Sequence, residues 1–393
     1  MLIEYLQTKW FFRLGRSRSR RGDWSAAQEC YERIIQLNPN HVSALANVGN
    51  CLHQQGRYAE AITFFDRALQ LRNDYADVHA RLGLIYETLQ RFQEAMESLT
   101  RAFRMKPDLR KDPIFLLAYA RSLGQMKKYE EALGAYKEAS AGDPKSAEAM
   151  AGVGWALWLT GNSRDAEIPL VQAIKLHRDF PAAYDTLGRV LREQHRDEES
   201  IPIWERLIEL KPTDCEARAN LGWALGGVGR YEDALHAMEE VLRIDPDFPV
   251  HYSIGLYHLY LGEYRQAIES EQTELRRGPD ADAYNVIAAS CLNLGEFQEA
   301  ICAGQRAIAL DSHSNVAWHN MGEAYMGIGR CGEAIPCFEK ALEIVPGSAE
   351  SHFQLGLALL KRGNRTAALK ECAVLGGIDA GKADELKGAI SAE

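Results

Sequence analysis

Residues 42–75 read VSALANVGNCLHQQGRYAEAITFFDRALQLRNDY, and this stretch decides the fold. Its apolar and small residues fall at Leu45, Val48, Gly49 and Leu52. After Gly56-Arg57-Tyr58 they resume at Ala61, Phe65 and Ala68. Spacings of three and four put each group on one face of a helix, and no alternating, strand-like run interrupts them. Two such stretches around a glycine turn predict a helix–turn–helix.

The unit recurs. Its eighth position is Gly15, Gly49, Gly83, Ala120, Gly154, Gly188, Gly222, Gly255, Ala288, Gly322 and Gly356, in steps of 33 or 34 residues and once 37. So regular a period predicts stacked copies of one supersecondary unit. Ala61, Ala95, Ala132, Ala166, Ala234, Ala267, Ala300, Ala334 and Ala368 share a second small position. The two small positions are expected to face each other, because helix axes about 8–10 Å apart need small groups at the crossing. Pro39, Pro107, Pro144, Pro212, Pro246, Pro279 and Pro346 stop the second helices.

This small-plus-aromatic signature resembles the tetratricopeptide repeat (TPR) family over residues 8–379. The resemblance implies an all-α fold, a right-handed superhelical solenoid of antiparallel helix pairs. First helices would line its concave face and second helices its outside. The expected organisation is one continuous array over 1–379, about eleven repeats with a basic, capping first repeat, followed by a C-terminal capping helix over 380–393. The long join at Pro107–Pro113 reads as a slight bend, with Asp112 and Pro113 as N-cap and first-turn residue.

Composition narrows the function. The 393 residues are 46% apolar, enough for a continuous core, and no run of 18 apolar residues suggests a membrane span. The eight cysteines form no Cys-x-x-Cys pair, which suits a reducing cytoplasm better than a disulfide framework or a zinc site. The net charge is −10, yet residues 1–21 carry six basic side chains against Glu4. An acidic body makes nucleic acid an unlikely partner overall. Lys9, Arg13, Arg16, Arg18, Arg20 and Arg21 are expected to be the solvated face of a capping helix. The alternative is that this helix, with Trp10, Phe11 and Phe12, tethers the protein to a membrane or nucleic acid as an assembly factor. Its charges follow rather than precede the apolar stretch, which argues against an export signal. Gly226-Gly227 and Gly376-Gly377 lack the Lys-Ser/Thr of a phosphate loop, and no nucleophile motif stands out. No enzyme activity and no cofactor are expected.

The resemblance implies that positions 2, 5, 6, 9, 12 and 13 of each first helix face the groove. Position 9 runs Arg121, Trp155, Arg189, Trp223 through four successive repeats. Trp158 and Arg192 at position 12, and Arg81 and Asn220 at position 6, flank that column. Trp and Arg dominate binding hot spots, and exposed indoles need a covering partner. The expected function is therefore a scaffold or adaptor holding an extended, acidic and aromatic peptide segment. Homo-oligomerisation through an end repeat is a further possibility. Repeat eight departs from the pattern with His251, His258, Glu271 and Glu274 at packed positions. These read as a buried hydrogen-bonded set, for example His258 with Glu271, or alternatively as a divalent-metal site.

Overall fold

The computed structural model describes residues 2–392, which hold 23 α-helices, one short 3-10 helix and no strand. By contacts the chain divides into two units, one ending at Arg196 and one beginning at Asp197.

The first unit contains α1 (Leu2–Arg20), α2 (Trp24–Leu37), α3 (Val42–Gln54), α4 (Tyr58–Leu71), α5 (Ala76–Thr88) and α6 (Phe92–Met105). A 3-10 turn over Pro107–Lys111 fills the long join. Then come α7 (Pro113–Gln125), α8 (Tyr129–Gly142), α9 (Ala147–Leu159), α10 (Ser163–Leu176) and α11 (Pro181–Glu193). Asp112 caps α7 as expected, its carboxylate accepting from the Ile114 N–H at 3.0 Å.

The second unit contains α12 (Asp197–Leu210), α13 (Cys215–Gly227), α14 (Tyr231–Ile244), α15 (His251–Tyr260), α16 (Tyr264–Glu274) and α17 (Ala281–Asn293). It continues with α18 (Phe297–Leu310), α19 (Asn315–Gly327), α20 (Cys331–Ile344), α21 (Ala349–Lys361), α22 (Arg365–Leu375) and α23 (Ala380–Ala392). Here α15 and α16 are 10 and 11 residues long, where α13 and α14 have 13 and 14.

All nine alanines of the second small position are fully buried. The glycine of position 8, however, makes room for something larger than alanine. A Cβ on Gly49 would lie 2.7 Å from the Phe65 ring, and one on Gly15 2.8 Å from Tyr31. Gly83, Gly154, Gly222 and Gly322 stand in the same way against Leu99, Leu170, Met238 and Phe338. In these six repeats the partner is the side chain 16 residues on. The glycine also meets the alanine as expected, a Cβ on Gly154 lying 3.0 Å from the Ala166 carbonyl and one on Gly222 3.3 Å from that of Ala234; the bulky knob fills the socket beside it.

The turn between paired helices needs a left-handed residue. Gly56 supplies it at φ 76°, and glycine does the same in most repeats. Gln90, Lys127 and His195 take that conformation without glycine. At the C-terminal end α23 buries Ala383, Leu386 and Ile390, and Leu386 covers Gly356.

Candidate functional site

In the first unit, first helices supply most of the walls of two concavities. The larger, about 980 Å³, is lined by Glu87 of α5, Arg121 of α7, Tyr136 of α8, Glu148 and Trp155 of α9, and Phe180 before α11, among others. The smaller, about 260 Å³, takes Arg16 and Arg20 from α1, Asn47 and Asn50 from α3, and Arg81 from α5.

Trp155 reaches the larger cavity because glycine clears its path. A Cβ on Gly124 would strike the six-membered ring of Trp155, and Tyr129 meets the indole edge-on at 5.9 Å. Tyr136 enters in the same way over Gly152. The result is an aromatic wall on a helical frame. Trp155 is half-buried, so the expectation of an exposed indole is corrected: neighbouring repeats already cover part of it.

Arg121 is corrected too. Its guanidinium donates to Glu87 at 2.8 Å and also to Glu148. Burial disfavours its charge, but the two carboxylates outweigh that and hold it above its usual range. Glu87 and Glu148 stand at positions 12 and 2 of their repeats. An arginine between two acids is already neutralised, so its fork is not an open receptor for a ligand acid.

The remaining candidates lie apart from this cavity. The Trp158 indole N–H donates to Glu193 at 2.8 Å. Arg189 pairs with Asp185 one turn back, at 3.0 Å. Arg192 is exposed at the end of α11. In the second unit, Trp223 is half-buried and donates to the Ser253 hydroxyl at 2.9 Å. Asn220 is buried, and its amide donates to the Glu216 carbonyl at 2.8 Å. Asn47 donates likewise to the Ser43 carbonyl at 2.6 Å. Both side-chain amides thus donate within their own helices.

The four polar residues of repeat eight do not converge. The His258 Nδ1 pairs with Glu263 at 2.6 Å, not with Glu271. Glu271 is fully buried against Gly255 with neither carboxylate oxygen hydrogen-bonded, and the buried Glu274 Oε2 accepts no hydrogen bond either. Glu274 approaches Arg277 at 3.6 Å. Among the described residues no group of three or more His, Cys, Asp or Glu side chains is placed to hold a metal ion. The metal reading is therefore corrected: His258 turns to Glu263, Glu274 toward Arg277, and Glu271 is buried alone.

The basic N-terminal helix is mixed in character. Arg13, Arg16, Arg20 and Arg21 are exposed, but Arg18 folds inward to the Ala26 carbonyl at 3.1 Å. Trp10 is exposed. No helix among the described residues is long and apolar enough to cross a membrane.

Tetratricopeptide repeat sequence models match residues 12–76, 117–184, 252–315 and 319–382, with others matching 52–122 and 215–244. The chain belongs to the tetratricopeptide repeat family, whose members are protein-interaction scaffolds. Among solved structures, it is similar to a chain of the anaphase-promoting-complex hetero-tetramer Cut9-Hcn1 (16% identity, TM-score 0.50). That match covers 97% of this chain and 89% of the other. A tetratricopeptide repeat protein from Parabacteroides merdae is similar at 17% identity and TM-score 0.51, over 63% of this chain and 99% of its own. At such identities the likeness is one of fold. No curated protein matches the chain by sequence.

Proposed function

We propose that the protein is a non-enzymatic scaffold that holds an extended, acidic and aromatic peptide segment along the first-helix face of its first unit. The observation that carries this reading is the Trp155 cavity, with its wall of Trp155, Tyr136 and Phe180. A half-buried indole on a rigid helix, backed by the buried Tyr136, offers apolar area at little entropic cost, the mark of a binding anchor. An aromatic or apolar side chain of the segment enters there. Its acidic residues turn toward Arg16, Arg20 and Arg81 rather than to Arg121, whose charge is already matched. Arg192 is a further contact of the same unit, and Trp223 a separate one on the second.

Ordering an extended segment costs entropy, so affinity in the micromolar range, about −8 kcal/mol, suits one such site. The eight free cysteines, five of them buried, fit a reducing compartment such as the cytoplasm.

A random-peptide display selected on the full-length protein, counter-selected on Trp155→Ala, tests the proposal. The expected outcome is enrichment of sequences that combine an aromatic residue with nearby Asp or Glu. Equal enrichment on both proteins would remove the Trp155 cavity from the account.

A further inference from the structure

The smaller cavity gathers positive charge without a matching acid. Arg16 and Arg20 stand one turn apart on α1, and Arg81 reaches in from α5. Among the described residues no Asp or Glu lines the space. Arg81 is half-buried and forms no ion pair with any described carboxylate. Asp77 and Asp112 act on it only at longer range, and Asp77 is itself paired with Lys106 at 3.1 Å. Burial outweighs their attraction and pushes the Arg81 guanidinium below its usual range.

Two polar atoms beside these arginines are also unsatisfied. Asn50, which lines the cavity, has a buried Oδ1 with no partner, and so does the Nδ1 of His53 one turn further along α3. Burial, then the charge of Arg81, holds His53 below the usual imidazole range. Buried polar groups in native proteins are ordinarily partnered, and a desolvated cation needs a counter-charge. The protein supplies neither here.

An anionic ligand can supply the counter-charge, and an N–H of the segment that carries it can supply the donor that the Asn50 Oδ1, itself an acceptor, lacks. A carboxylate brings one negative charge and two acceptor oxygens to three guanidiniums. A phosphoryl group brings about −1.5 to −2 charge and three acceptor oxygens, and guanidinium forks match it in geometry. We propose that the cavity of Arg16, Arg20 and Arg81 is a phosphoryl-binding site that reads a phosphoserine or phosphothreonine in the segment held along the first-helix face. It rests on the groove reading for that segment, though not for the anion site itself.

The test uses the full-length protein and calorimetric titration at low ionic strength, where charge contacts are least screened. The probes are inorganic phosphate, N-acetyl-phosphoserine amide, and the serine and glutamate counterparts of that amide. The phosphoserine probe is expected to bind at least tenfold tighter than the glutamate one, and inorganic phosphate to compete with it. Arg16→Gln/Arg20→Gln is expected to weaken binding at least tenfold without shifting the melting temperature of the free protein, since both side chains are exposed. Arg13→Gln/Arg21→Gln, on and just after the same helix but outside the cavity, should leave binding unchanged. Equal binding of the glutamate and phosphoserine probes overturns the proposal. So does equal loss in the two double variants, which would mean diffuse attraction to a basic helix. Trp155→Ala separates the two readings: it should weaken segment binding roughly thirtyfold and leave the phosphoserine probe untouched.

Discussion

Glu271→Met raises the stability of the second unit, and the gain grows with pH. Glu271 occupies the place that Tyr31, Phe65, Leu99, Leu170, Met238 and Phe338 fill in other repeats, sixteen residues after the position-8 glycine. Burial, then the charges of Glu274, Asp280 and Asp282, pushes its carboxyl from 4.5 up to about 9. A carboxyl raised in the folded state leaves stability intact below the unfolded value and removes it as pH climbs toward the folded value. The slope is about 1.4 kcal/mol per pH unit, so some 3 kcal/mol is lost by pH 7. Methionine, already found at this place as Met238, fills the socket without that penalty. His251, held below its usual range by burial, contributes with the opposite sign, but at pH values below about 6.5. Hydrogen exchange of α15 and α16 between pH 7 and 9 therefore isolates Glu271. The wild type should loosen across that window and Glu271→Met should not; parallel curves would show that this carboxyl is already ionised in the folded protein at pH 7.

Phe65→Ala is expected to cost about 3–5 kcal/mol, because it empties a fully buried socket in the first unit. The sharper result comes from pairing it with Gly49→Ala. In the wild-type background the new methyl collides with the Phe65 ring, and overpacking of that kind costs about 1–3 kcal/mol. In the Phe65→Ala background the ring is gone, and alanine's advantage over glycine in a helix, about 1 kcal/mol, remains. The sign of Gly49→Ala should invert between backgrounds in a denaturation double-mutant cycle. Additive effects would mean that the two residues do not share a socket.

The helix pairs were legible because every repeat spells the same spacing. A glycine turn, small residues and apolar faces at intervals of three and four admit one local answer. Asp112-Pro113 was legible for the same local reason. The candidate site was legible only as a set of positions. Arg121 and Trp155 do line one cavity, but Glu87 and Glu148 determine what Arg121 can do. Both sit at groove positions of neighbouring repeats, so reading positions 12 and 2 for acids would have found them. Tyr136 was hidden because its route depends on Gly152, a glycine outside the two periodic small positions. The histidine and glutamates of repeat eight misled because periodicity gives the face a residue shares, not the partner its side chain selects. The nearest partner of His258 lies five residues on in a turn. Gln90, Lys127 and His195 adopt the turn conformation that glycine takes elsewhere, so a glycine turn signal alone misses those three turns.

The affinity of a display-selected segment for three proteins tests the central claim most directly: wild type, Trp155→Ala, and Trp318→Ala in the second unit. The account predicts a loss on the order of 2 kcal/mol, roughly thirtyfold, for Trp155→Ala. It predicts less than about threefold change for Trp318→Ala, because Trp318 does not line the Trp155 cavity. Wild-type affinity in Trp155→Ala, with its helical content unchanged, would contradict it.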